Sequence, residues 1–317
     1  MRTLGPTGWS AALGIVGLLV AGCGSDGGGS LDPREVAVEE LGQLGRILHV
    51  GGPLLGHAAT AFDPAATPPD ACEQGTAIVV NGEGRRQFDY YDIDPVVRFT
   101  RYEFDGCRVT ADLDGTPAQL EYEGDLVTGA TPGDEPSGST DGDDRYVEFG
   151  SNDDALVLKR TIRDPGGVDV IEQATERISG GLEWRVLDEA TEYASVLVRV
   201  LGRSIPDGYS LVWLQGEAGE PLRVEEVSGS GTFAVDGPYI YNSSRCTGGS
   251  RRITTVQSIT REDGYPTGGE IEIEIERGES VLTILFSAEG AAAQLGDGEA
   301  VMLSEDEVRA ALDEPLC

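Results

Sequence analysis

The chain is poor in the groups that most often carry chemistry. Its 317 residues include two histidines, His49 and His57, and one lysine, Lys159. A zinc site usually takes several His or Cys ligands, so each histidine reads as a surface or packing residue. A Ser-His-Asp triad would need one of them as its base, yet both fall in or just after a single N-terminal helix. No Gly-x-Ser-x-Gly elbow occurs. Ser228-Gly229-Ser230-Gly231 lacks the first glycine and reads as a turn or bulge. Asn81-Gly82-Glu83-Gly84 fails the dinucleotide fingerprint, which also requires a following helix. Aromatic residues make up only 6% of the chain, few for the sugar platforms that a glycosidase's carboxylate pair works beside. Trp184 and Trp213 fall within expected strands, where core packing is their role. No catalytic residue, metal ligand set or cofactor is therefore expected, and an enzyme is the disfavoured class.

Positive charge is scarce as well. Asp and Glu number 56 against 23 Lys and Arg, a net charge of −33. Such a surface repels nucleic acid and anionic headgroups, which excludes nucleic-acid binding as a main function. The charge keeps an exported domain soluble. Its densest segment, Asp134 to Asp154, holds eight acids, most of them among Gly, Ser and Pro. Calcium takes six to eight oxygens of this kind, but no EF-hand loop fits: Asp112-x-Asp114 places Pro117 where the loop glycine belongs. A solvated loop is the expectation there.

Long hydrophobic runs are missing too. The longest is Ala11–Ala21, well short of the roughly 18 residues that span a bilayer as a helix. Its length, and Arg2 before it, fit a signal-peptide core. The residues that end it, Leu19-Val20-Ala21-Gly22-Cys23, resemble the lipobox of bacterial lipoproteins. That resemblance implies removal of residues 1–22 and a diacylglycerol, usually with an N-acyl chain, on Cys23. Two or three acyl chains make release from a membrane very slow. Gly24-Ser25-Asp26-Gly27-Gly28-Gly29-Ser30 then reads as a flexible tether reaching about 15 Å. In the family, Asp directly after the lipidated cysteine resembles an inner-membrane retention signal. Gly24 stands there instead, which favours the outer membrane, facing the periplasm or the surface.

Four further cysteines, Cys72, Cys107, Cys246 and Cys317, agree with export, since an even set in an oxidising compartment implies disulfides. Of three connectivities, Cys72–Cys107 with Cys246–Cys317 keeps each bridge within one half of the chain.

Asp32-Pro33-Arg34-Glu35 opens a helix with an N-cap carboxylate and Pro at the first position. Val38, Leu41, Leu44 and Leu48 follow at helical spacing, predicting a helix over 32–49 that Gly51-Gly52-Pro53 stops. The stretch through Pro64–Pro69 reads as a linker. From Cys72 onward strands come at short intervals: 76–81, 87–91, 96–104, 108–113, 119–122, 146–149, 156–162, 168–175, 182–187, 195–201, 209–214, 222–227 and 232–235. Asn81-Gly82 and Asp114-Gly115 are read as turns between them. Glu270 to Glu276 alternates Glu and Ile at period 2, one face wet and one buried. Val281–Phe286, apolar on both faces, is expected deeper in the sheet. Ser304-Glu305-Asp306-Glu307 is a capping box opening a short last helix, roughly 305–312.

The reading is thus a mainly β protein: a large antiparallel meander sheet, a sandwich or a partly closed barrel. It carries one N-terminal amphipathic helix and a short C-terminal one. Its parts are a leader (1–22), a lipidated tether (23–31), a helix and linker (32–71) and a disulfide-stapled β-rich domain (72–317) of one or two modules. The expected role is non-catalytic: a lipid-anchored envelope protein that binds a partner protein or lipid, or contributes structure. A long sheet curled around an amphipathic helix is also similar to the half-barrel of periplasmic lipoprotein carriers and receptors. That likeness implies lipid carriage in an apolar cavity as the rival function.

Overall fold

The computed structural model describes residues 32–51, 71–88, 92–113, 116–132, 144–150, 155–164, 169–187, 190–205, 210–217, 219–227, 231–244, 246–275 and 280–313. Cys23, His57, Cys317, the 64–69 linker and most of the 134–154 acidic segment lie outside them. Residues 32–317 form one compact unit.

Helix α1 (Pro33–Gly51) comes first. Asp32 caps it, its Oδ1 accepting from Arg34 N at 2.9 Å. The strands follow as β1 (Gln74–Arg85), β2 (Val96–Leu113), β3 (Thr116–Ala130), β4 (Asp144–Glu148), β5 (Leu156–Arg163), β6 (Val170–Leu187), β7 (Ala190–Ile205) and β8 (Ser210–Gln215). Then come β9 (Leu222–Val227), β10 (Thr232–Ser243), β11 (Cys246–Glu262), β12 (Tyr265–Ile275), β13 (Ser280–Ser287), β14 (Gly290–Leu295) and β15 (Val301–Ser304). Helix α2 (Glu305–Asp313) closes the described chain. Its capping box is formed: Ser304 N donates to Glu307 Oε2 at 2.9 Å, and Glu307 N to Ser304 Oγ at 3.4 Å.

Among the described residues all fifteen strands join one antiparallel sheet, open at β1 and β15 rather than closed into a barrel. β4 and β5 both lie between β3 and β6, as do β8 and β9 between β7 and β10. Each such pair acts as one interrupted strand, so every strand pairs with its neighbours in sequence. The topology is an unbroken meander, as expected from short gaps that cannot hold crossover helices.

One face of the sheet carries the core. Inward residues include Tyr102, Phe104, Tyr122, Ile178, Tyr239, Tyr241, Ile271, Ile273, Leu282 and Ile284, in one cluster with Ala37, Leu41, Leu44 and Ile47 of α1 and Leu312 of α2. α1 therefore belongs to the core of the sheet domain rather than to a separate leading segment. A Cβ built at Gly45 would stand 2.2 Å from Leu312 O, so the bare glycine lets α1 and α2 cross in backbone contact.

Several sequence expectations need correction. The chain does not turn at Asn81-Gly82. β1 runs straight through it, with Gly82 lying beneath Phe99, where a Cβ would meet the ring at 2.4 Å. Gln87–Tyr91 is not a strand in its described part: Phe88 makes only an isolated bridge with Ile93. The pairs 96–104 with 108–113, and 168–175 with 182–187, are single strands interrupted by bulges, β2 and β6. β11, β14 and β15 are strands that no expected run covers. β12 alternates as expected, with Ile271, Ile273 and Ile275 buried and Glu272 and Glu274 exposed. β13 does not lie deeper than β12. Only two strands separate it from the edge, and Leu285 on its outer side is 48% exposed.

A second, smaller cluster sits on the opposite face, where Phe88, Val97 and Tyr146 are buried against Ile93, Phe99 and Val127. Arg86 covers it, its guanidinium 4.0 Å from the Tyr146 ring centroid and paired with Glu148. Burial pushes the Tyr146 hydroxyl up to about 12.

Candidate functional site

Two features stand apart from ordinary β packing: a charged lock under α1 and an open strand at the far edge.

The lock is built from α1, β10 and β11. Cross-strand register places Tyr239 opposite Arg251 and Trp213 opposite Tyr241. Alternation turns all four side chains inward, where they are buried. The helix turns Glu40 toward them. Its Oε1 accepts from Arg251 Nε at 2.5 Å and its Oε2 from Tyr239 OH at 2.7 Å. Tyr241 OH lies 2.9 Å from both Glu40 Oε1 and Glu39 Oε1, and donates its one proton to either. Arg251 Nη2 donates to Gly248 O at 3.1 Å, and the guanidinium stacks over Tyr241 with 5.3 Å to the ring centroid.

Burial raises the hydroxyl pKa of Tyr239 and Tyr241, and the charge of Glu40 raises both further. Burial alone would favour loss of the Arg251 proton, but Glu40 outweighs it and the guanidinium stays charged. The hydroxyls therefore keep their protons, and Tyr241 OH also accepts from Arg251 Nη2 at 3.5 Å. One turn beyond Glu40, the amide of Gln43 is fully buried without a hydrogen-bond partner among the described residues. Such a group costs about 1–3 kcal/mol.

The edges of the sheet differ. β15 is four residues long, runs directly into α2, and is clamped by Arg34 of α1, which donates to Met302 O at 3.0 Å and pairs with Glu307. β1 is twelve residues long and, among the described residues, pairs only with β2. Ile78, Val79 and Val80 in its middle are 55%, 36% and 45% exposed. Ile78 and Val80 lie on the outer face, in register with Glu103 and Arg101, while Val79 lies on the core face beside Tyr102. Cys72 and Cys107 form a disulfide with Cα atoms 5.2 Å apart, tying the start of β1 to β2.

Of the other residues singled out in the sequence, Trp213 is buried in β8, and Asp144 at the start of β4 pairs with Arg185 at 3.3 Å. Cys246 is disulfide-bonded; Cys317, its expected partner, lies outside the described residues. His49 closes α1, with its side chain outside the description. Among the described residues no cluster of His, Cys, Asp and Glu is arranged to hold a metal. No helix among them is long and apolar enough to cross a membrane. A shallow surface depression is lined by Leu158, Arg160, Ala174 and Glu176.

Sequence reasoning missed the lock. Glu40 and Arg251 lie 211 residues apart, and a glutamate in an amphipathic helix reads as solvent-facing. The alternating Tyr239-Ile240-Tyr241 was its one visible trace. No protein-family model, curated protein or solved structure matches the chain. What the fold defines is an open meander sheet with a helix locked against its core face.

Proposed function

We propose that the chain is a lipid-anchored protein of the bacterial cell envelope, with a non-catalytic binding or structural role. Cys23 carries the lipid, and Gly24 after it favours the outer membrane. The observation that carries this reading is the join between anchor and body. Asp32, nine positions after the lipobox cysteine, already caps α1, and within two turns α1 is tied into the sheet by Glu40 and Arg251. Eight residues of tether leave the body close to the lipid surface, and a pull on the lipid is borne by the core. Lipid carriage would require α1 to leave the core face and break that ion pair, so the anchored, rigid body is the better-supported role.

The test is labelling of cells expressing the chain with radioactive palmitate. Label should enter the wild-type protein and be absent from Cys23→Ala. Absence of label from the wild type, or equal label in both, would sink the proposal.

A further inference from the structure

We infer that the free edge of β1 accepts an extended strand from a second protein, one with an uncharged β-branched centre and a basic residue at each end. The inference gives the binding role proposed above a surface, and it rests on that role.

Natural sheets guard long edges with charges, proline or bulges, because an unguarded strand pairs with whatever strand it meets. β15 is guarded by its length, by α2 and by Arg34. β1 has its register shift, between Gln74 and Thr76, and its charges, Glu83 and Arg85, near its ends, and among the described residues nothing guards its middle. From Gln74 to Gly82 it carries no charge and no proline, in a chain where 25% of residues are charged. Its centre, Thr76-Ala77-Ile78-Val79-Val80, is strong strand sequence with its three largest apolar side chains exposed. A strand laid alongside would cover Ile78 and Val80 on one face and Val79 on the other, while its main chain filled the open ladder. This is recognition by strand addition.

Charge selects the occupant. Glu73 and Glu83 bracket the uncharged run, about 33 Å apart along the strand. Glu73 continues the ladder, its N–H donating to Arg108 O at 2.8 Å. Its carboxylate accepts from Thr110 N at 3.1 Å, and that of Glu83 lies 3.7 Å from Arg98 on the exposed surface, so a basic residue on the incoming strand adds to these contacts. A second copy of this chain, paired antiparallel about Ile78, would set Glu73 of each copy against Glu83 of the other. Like charges directly opposite destabilise a strand pair, and two bodies of net charge −33 repel at longer range as well. Basic residues at the two ends of the incoming strand turn both terms favourable.

The test uses the full chain carrying Cys23→Ala, so that binding is read apart from the anchor, and three labelled peptides. These are RTVTVTVTVTR, the same sequence with Glu at both ends, and the arginine peptide N-methylated at every residue from its second to its tenth, which blocks both edges. Fluorescence anisotropy should show binding of the first, at least about tenfold weaker binding of the second, and none of the third, which keeps the charge but cannot pair. Amide exchange should slow in Gln74–Arg85 on binding. Ile78→Lys, an exposed substitution that leaves the melting temperature unchanged, should abolish binding. Equal affinity for the arginine and glutamate peptides, binding of the methylated peptide, no binding at all, or protection elsewhere would each overturn the inference. So would a dimer that protects β1 without peptide. None of these outcomes alters the palmitate result, so failure of the edge and failure of the anchor are read separately.

Discussion

Arg251 and Arg252 are neighbours in β11 with opposite fates. Arg251 turns into the core and holds Glu40 of α1, the two side chains 4% and 0% exposed. Arg252 turns out and grips Glu220 through two hydrogen bonds of 2.5 and 2.7 Å, at 37% and 52% exposure. The geometry is as good outside as inside, but water screens only the outer pair. Arg252→Ala should therefore change stability little. Arg251→Met leaves Glu40 buried without its cation and should cost about 3–5 kcal/mol. Adding Glu40→Leu should recover part of that loss, because it removes the stranded charge but leaves the Tyr239 hydroxyl without its acceptor. Urea unfolding of the three variants checks this. Equal midpoints for the two arginine variants would show that the buried pair does not hold α1.

Gly45 tests the helix crossing. Alanine favours a helix interior by about 1 kcal/mol over glycine, so at an open site Gly45→Ala would stabilise. Here the new methyl meets the Leu312 carbonyl, a backbone atom that cannot rotate away. α1 and α2 must part, and overpacking of this kind costs about 1–3 kcal/mol. The expected outcome is a lower melting temperature with faster amide exchange in Val308–Leu312. A higher melting temperature would mean that the helices do not cross at this point.

Local signals made much of the fold legible. Asp32-Pro33 announced α1, Ser304 with Glu307 announced α2, and the Glu-Ile alternation announced β12, because each is a rule about residues a few positions apart. The errors arose where a long-range partner decides. Asn81-Gly82 has the chemistry of a turn, but Phe99 of β2 packs on Gly82 and holds the strand extended. Gly290–Leu295 lacks the bulky pattern of a strand, yet Ala291 and Ala293 are fully buried in the core cluster that α1 and α2 share. Of the helix stripe Val38, Leu41, Leu44 and Leu48, Leu41 and Leu44 are buried and Val38 and Leu48 only partly so, whereas Glu40 and Gln43, outside it, are completely buried. Nothing in the helix itself says that a glutamate will find an arginine 211 residues later. The edge of β1 was hidden for a related reason: a strand looks the same in sequence whether one neighbour or two flank it.

Glu307 gives the fold an acid limit that can be measured at one residue. Hydrogen bonds from the backbone and hydroxyl of Ser304, and then from Arg34, hold its carboxyl down to about 2, from 4.5. A carboxyl whose pKa is depressed on folding stabilises the fold above its unfolded pKa, and the effect is lost as pH falls through the folded one. The α2 cap and its tie to α1 should thus contribute fully above about pH 4.5, weaken below that, and be gone beneath pH 2. Carbon-13 shifts of the Glu307 carboxyl should titrate near the lower value. Ser304→Ala removes the hydroxyl bond but keeps the backbone donor, so it should move the midpoint part of the way toward 4.5, with α2 amides exchanging faster at neutral pH. A wild-type midpoint already near 4.5 would mean that the capping box does not form in solution, and that β15 is less firmly clamped than the contrast with β1 requires.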